Sequence, residues 1–146
     1  MAVTNRITPF LWFDTQAEEA ANFYCSIFKN SKMDQVVRYG EVGPGPQGSA
    51  MIVNFELDGA NFTALNGGPR FKFDEAISFV VHCETQDEID YYWDKLTADG
   101  GAPSMCGWLK DKFGLSWQVV PTQVGELMSG GGERSGRGCL RVGCKA

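Results

Sequence analysis

His82 is the only histidine of the 146-residue chain, so any proposal of proton transfer starts there. A single imidazole in this place supports neither a Ser-His-Asp nor a Cys-His arrangement. It sits late in an apolar run, just ahead of a helix start, which suits a capping or half-exposed side chain. The five cysteines (Cys25, Cys83, Cys106, Cys139 and Cys144) are odd in number, scattered and without CxxC spacing. That argues against a disulfide framework and a cysteine zinc site. Cys25 and Cys83 lie in apolar segments and read as buried structural thiols. Gly43-x-Gly45-x-x-Gly48 has the spacing of a nucleotide loop. It contains prolines and falls between strand candidates, so it reads as a hairpin loop. The two strand–helix junctions, Asp14-Thr15-Gln16 and Glu84-Thr85-Gln86, contain no glycine, and a dinucleotide-type cradle needs one there.

The elements that must position any chemistry follow from an internal repeat. Asp14-Thr15-Gln16-Ala17-Glu18-Glu19-Ala20 recurs as Glu84-Thr85-Gln86-Asp87-Glu88-Ile89-Asp90 at an offset of 70. Each copy follows an apolar run, Ile7 to Phe13 and then Ile77 to Cys83, and opens an amphipathic helix. T-x-x-E is a capping box, in which the Thr hydroxyl accepts a backbone N–H and the Glu reaches back to the cap. It is expected in both places. Ala17, Ala20, Ala21, Tyr24, Ile27 and Phe28 recur at helical spacing in the first helix. Ile89, Tyr92, Trp93 and Leu96 do so in the second. Asn30-Ser31 and Gly100-Gly101 are the expected stops. Strands are expected at 33–39, 50–57 and 61–66 in the first half, with a turn at Asp58-Gly59. In the second half they are expected at 103–109 and 115–121, with a turn over Asp111 to Gly114. Gly67-Gly68-Pro69 marks the join.

The fold class is therefore α+β, two tandem βαβββ modules at about 5–67 and 75–124. Each sheet carries one helix and leaves one face open, and pairing the modules turns the open faces toward a concave small-molecule pocket. Composition agrees with a globular domain: 43% hydrophobic and 21% charged residues. No apolar run reaches the roughly 20 residues of a membrane-spanning helix, and no signal-peptide core follows the N-terminus. A cytoplasmic location is expected. The net charge is −5. Residues 129–146 carry one acid against four bases (+3), which leaves −8 on the other 128 residues. An acidic body excludes ordinary nucleic-acid binding, since phosphate contacts need clustered Lys and Arg. The 129–146 segment is rich in Gly and Arg with no apolar stripe. It is expected to be a poorly ordered tail, and no function attaches to it.

Several segments resemble the PhnB-like family, whose members are often labelled 3-demethylubiquinone 3-methyltransferase-like. They are Ile7 to Phe13, Glu19-Ala20-Ala21-Asn22-Phe23-Tyr24, Ser26-Ile27-Phe28, Ala64-Leu65-Asn66-Gly67-Gly68, and the specific run Cys106 to Gln118. The resemblance covers about Ile7 to Met128, giving a 1–128 domain. It implies the vicinal-oxygen-chelate (glyoxalase/bleomycin-resistance) fold and a homodimer. Metal enzymes of that superfamily place His or Glu on the first and last strands of each module. The corresponding positions here are near Ile7–Thr8, Ala76–Ser78, Thr63 and Gln118. None is an imidazole or carboxylate, so no metal or other cofactor is expected.

What remains is a pocket of aromatic walls and a few polar groups. The residues placed at it are Thr63, Asn66, Trp108 and Gln118, with Gln118 and Trp117 on opposite faces of their strand. The expected function is binding of a planar or aromatic small molecule, with or without catalysis. The alternative is a metal-dependent lyase, isomerase or dioxygenase that draws His82 together with Glu56, Glu84 or Glu126. A methyltransferase, as the family label has it, ranks third.

Overall fold

The computed structural model describes residues 6–41, 46–104 and 107–122. Gly43, Gly45, Cys106, Glu126 and the 129–146 tail lie outside the described residues. The chain divides into two compact units between Lys72 and Phe73.

In the first unit the order is β1 (Phe10–Phe13), α1 (Ala17–Ile27), β2 (Lys32–Arg38), β3 (Ala50–Leu57) and β4 (Ala60–Asn66). The four strands form one sheet in the order β1-β4-β3-β2. The first strand runs parallel to the last, and the other pairs are antiparallel. Alternation puts Leu11 and Phe13 of β1, Val53, Phe55 and Leu57 of β3, and Phe62 and Ala64 of β4 on the buried face. The helix covers that face with Ala17, Ala20, Ala21, Tyr24 and Ile27. Its three alanines let the helix backbone approach the sheet, and Tyr24 stacks toward Phe55 with ring centroids 6.5 Å apart. Each large side chain buried in this layer contributes about 1.5–3 kcal/mol. Asp58 and Gly59 both take positive φ, 49° and 84°, as a two-residue hairpin turn requires.

The second unit repeats the plan: β5 (Ser78–Cys83), α2 (Gln86–Thr97), β6 (Ala102–Pro103), β7 (Trp108–Lys110) and β8 (Ser116–Pro121). The sheet order is β5-β8-β7-β6, again with its first and last strands parallel. Cys83, Ile89, Trp93, Leu96, Leu109, Leu115, Trp117 and Val119 form its core. The α+β two-module reading is thus the observed fold. No described helix is long and apolar enough to cross a membrane.

The two registers also test the repeat. Phe10 pairs with Thr63 in the first sheet, and Val80, 70 residues on, pairs with Gln118 in the second. The equivalence of Thr63 and Gln118 inferred from the sequence therefore appears as the same rung of each ladder.

Three expectations are corrected. The first strand begins at Phe10 rather than Ile7, because Pro9 has no N–H to donate, although its carbonyl still accepts from Thr63 N–H at 3.0 Å. The segment 103–109 is not one strand. Ala102 and Pro103 pair back onto Lys110 and Leu109, and Ser104 N–H donates to Trp108 O, so it forms a hairpin. The capping box forms only in the second copy. There Thr85 accepts from Glu88 N–H at 3.2 Å, and Glu88 accepts from Glu84 N–H at 2.7 Å. In the first copy Gln16 is the cap and no side chain of that turn caps the helix. Asn66, from the end of β4, accepts from Ala17 N–H at 2.8 Å instead. Glu18 reaches out to Arg38, with its two oxygens 3.3 and 3.0 Å from the guanidinium nitrogens.

The buried thiol of Cys83 makes a direct test of this core. Burial, and secondarily the charge of Glu88, pushes its pKa from 9.0 up to about 11. In the native protein alkylation of Cys83 by iodoacetamide near neutral pH should run on the order of 100-fold slower than in the denatured chain. Because the folded value is raised, this thiol's contribution to stability is complete below its ordinary value of 9.0 and is lost as pH rises toward 11. Peptide mapping by mass spectrometry reads the rate, and equal rates in native and denatured protein would place Cys83 outside the core.

Candidate functional site

At the end of the first sheet that faces the β1–α1 junction lies a cavity of about 590 Å³. Trp12, Tyr39, Met51 and Leu65 supply its apolar surface, and Asp14, Thr15 and Ser49 its polar border. Alternation explains the wall. Leu11 and Phe13 face the helix, so Trp12 must face the opposite side of β1, where its strand partner is Leu65.

The indole is fixed from three directions. Its Nε1–H donates to Gly68 O at 2.9 Å. The Phe71 ring meets it edge-on, with centroids 4.9 Å apart and planes at 77°. Beneath it lies Gly67, where a Cβ would come within 2.5 Å of the indole. Only glycine lets the ring lie flat there. The Tyr39 hydroxyl donates to Asn66 O at 2.7 Å, holding the opposite wall. The walls are therefore rigid, aromatic and internally hydrogen-bonded.

Of the four residues expected at the pocket, Thr63 and Asn66 lie in the first unit and Trp108 and Gln118 in the second. Asn66 borders the cavity, but its amide is engaged: Oδ1 caps α1, and Nδ2 donates to Ala50 O at 2.9 Å. Thr63 lies on the open face of the first sheet, where its hydroxyl donates to Asn54 Oδ1 at 2.8 Å. Trp108 and Gln118 are cross-strand partners on the open face of the second sheet, both half-buried. Gln118 Nε2 donates to Ser78 Oγ at 2.9 Å. Trp117 is on the opposite, core face, as the alternation requires. Trp12, Tyr39, Met51 and Leu65 were not among the expected pocket residues. Strand alternation and the Gly67-Gly68 pair after β4 were the signals that pointed to Trp12.

At the first- and last-strand positions where superfamily metal enzymes carry ligands, Thr63 and Gln118 present neutral oxygens on rungs shared with Phe10 and Val80. His82 is exposed and sits opposite Val120, two residues along from the Gln118 rung. The helix cap nearby is Thr85, not His82. Among the described residues no three of His, Cys, Asp or Glu gather into a group able to hold a metal ion. The strand–helix junctions fit a nucleotide-type cofactor no better. Asn66 closes the first N-terminus, and Thr85 with Glu88 closes the second.

Gln118→Glu checks the metal argument. The Ser78 hydroxyl can turn round and donate to the new carboxylate, so the change should cost no more than about 1 kcal/mol. It should confer no stoichiometric binding of Ni, Zn or Mn, because a single carboxylate has no partner ligands. Chemical denaturation and elemental analysis measure both, and stoichiometric metal in the variant would overturn the assignment of these rungs.

The family model described as 3-demethylubiquinone-9 3-methyltransferase matches residues 5–120. A PhnB protein from Bacillus cereus is 39% identical, covers 81% of this chain and 100% of its own, and superposes with a TM-score of 0.75. A Pseudomonas aeruginosa protein is 19% identical over 81% of this chain and 98% of its own, with a TM-score of 0.67. A glyoxalase/bleomycin resistance protein from Albidiferax ferrireducens shares the fold at 11% identity, with a TM-score of 0.52, covering 80% of this chain and 98% of its own. No functionally curated protein matches the sequence.

Proposed function

The chain belongs to the PhnB-like 3-demethylubiquinone-9 3-methyltransferase family, within the glyoxalase/bleomycin-resistance superfamily, and from that premise we propose that it binds a planar, aromatic small molecule in the cavity of its first module. One observation carries this reading: a cavity of about 590 Å³ walled by Trp12, Tyr39, Met51 and Leu65, in which the Trp12 and Tyr39 donors are already bonded to the Gly68 and Asn66 backbone carbonyls. A wall of that kind offers stacking and apolar contact without asking the ligand to replace a hydrogen bond. On the open sheet faces, the hydroxyl of Thr63 and the Trp108–Gln118 pair offer further polar and ring contacts to ligands of the same class.

Methyl transfer in this cavity would require S-adenosylmethionine as donor. The residues present do not fit that group, since both helix N-termini are closed by side chains and neither junction has a glycine loop. The homodimer implied by the resemblance and the cytoplasmic location expected from the sequence belong to this proposal, and light scattering and cell fractionation test them.

Calorimetric titration with neutral acridine tests the binding itself. Trp12→Ala should weaken binding about ten-fold or more, because it removes one stacking face and its buried area. Trp12→Phe, which keeps a ring, should fall between the two. Binding that is indifferent to both variants would move the site elsewhere. A wild-type protein that binds no planar probe, yet carries stoichiometric metal when purified without chelators, would replace this reading with metal-dependent chemistry.

A further inference from the structure

Resting on that reading of the cavity, we infer that its ligand is a planar aromatic cation bearing N–H donors, with Asp14 as the charge partner. The inference comes from a census of hydrogen-bonding groups around the lining. The side-chain donors point into the protein: Trp12 Nε1–H to Gly68 O, Tyr39 O–H to Asn66 O, Asn66 Nδ2–H to Ala50 O, and Ser49 O–H to Pro46 O. The backbone N–H groups of Gly67 and Gly68 are engaged as well, with Phe13 O and Asp14 O. Among the described lining side chains, the Thr15 hydroxyl and the second Nδ2–H of Asn66 are left as donors.

Acceptors are in the opposite condition. Tyr39 Oη keeps its lone pairs while it donates. The Asp14 carboxylate accepts no hydrogen bond from the described residues, and Asp14 is the one charged residue of the lining. No Lys or Arg is among the described lining residues; Arg38 is paired with Glu18, and Arg70 lies over the Phe71 ring at 5.4 Å from its centroid. A ligand entering this cavity meets aromatic faces, spare acceptors and one negative charge. Ring faces attract cations, and a carboxylate at the border attracts them further. A phosphate or carboxylate on the ligand would find one hydroxyl and one amide N–H beside a like charge. The chemistry recognised is an aromatic amine, amidine or heteroaromatic cation.

Three probes sharing one ring system and differing in charge decide the matter: aminoacridinium, neutral acridine and acridine carboxylate, titrated calorimetrically at neutral pH. The expected order of affinity is aminoacridinium, then acridine, then acridine carboxylate. Asp14→Asn should lower the ratio of aminoacridinium to acridine affinity about three- to five-fold, the worth of a solvent-facing ion pair. Added salt should lower the same ratio in the wild type and leave it flat in the variant. Asp14 makes its structural hydrogen bond through its backbone carbonyl, so the substitution leaves the junction intact. Acridine binding with no preference among the charges, or a ratio unmoved by Asp14→Asn, overturns the inference while the binding function survives. Failure of all three probes to bind overturns the binding function itself.

Discussion

Asp111→Ala should cost the second module about 3–5 kcal/mol, the largest loss expected from any single side chain outside the hydrophobic core. Asp111 is 2% exposed. Its Oδ1 accepts from Phe113 N–H at 2.8 Å and from Leu115 N–H at 3.1 Å, and its Oδ2 accepts from Trp117 Nε1–H at 2.8 Å. Its own N–H and carbonyl close the same turn with Leu115 O and Gly114 N–H. Truncation leaves the N–H of fully buried Leu115 and the indole N–H of Trp117 without acceptors, where water cannot reach them. Asp111→Asn should cost roughly half as much. Its carbonyl oxygen can still take both backbone donors, but its NH2 then faces the Trp117 N–H. Denaturant melts and the near-ultraviolet signal of Trp117 measure the effect, and an alanine variant within 1 kcal/mol of wild type would show that this network is not what holds the turn. Within the segment that carries the most specific family resemblance, Asp111, Gly114 at φ 91° and Trp117 set the β7–β8 turn.

Asn66→Ala should destabilise the first module by about 2–3 kcal/mol, combining a lost helix cap with a lost tie to β3. Asn66 Oδ1 holds Ala17 N–H at the start of α1, and Nδ2 holds Ala50 O at the start of β3. One amide therefore joins three elements at the rim of the cavity. Asn66→Asp keeps the acceptor and places a negative charge at a helix N-terminus, which is favourable. It also sets a carboxylate oxygen against Ala50 O, so an intermediate loss is expected. Hydrogen exchange at Ala17 should speed up in the alanine variant while exchange in α2 stays as in wild type. If α1 and α2 responded alike, the loss would be global and the capping role would fail. The acridine affinity should fall less than α1 protection, since the Tyr39 hydroxyl is anchored on the backbone carbonyl of residue 66, which the substitution keeps.

The sequence by itself determined the parts of this protein that depend on neighbours along the chain. A period of 3.6 put Ala17, Ala20, Ala21, Tyr24 and Ile27 on one buried stripe, and a period of 2 put Trp117 and Gln118 on opposite faces. Asp58-Gly59 predicted its hairpin because both residues tolerate positive φ. Matching the turns at Gly59 and Gly114 even anticipated that Thr63 and Gln118 occupy equivalent rungs. Tertiary structure alone decided what two identical T-x-x-E boxes become. On the equivalent rungs, Phe13 is opposite Asn66 while Cys83 is opposite Pro121. Asn66 brings an amide to the first helix from 49 residues away, so Thr15 is not needed as a cap and Glu18 turns to Arg38. Pro121 has no polar side chain to offer, so Thr85 and Glu88 must cap the second helix themselves. The cavity was hidden for the same reason. Trp12 becomes a wall only because Gly67, Gly68 and Phe71, more than 50 residues downstream, fold back to hold its ring. Local propensity carries no term for a partner that distant, whereas a buried donor or a flat aromatic face is satisfied only once the partner arrives.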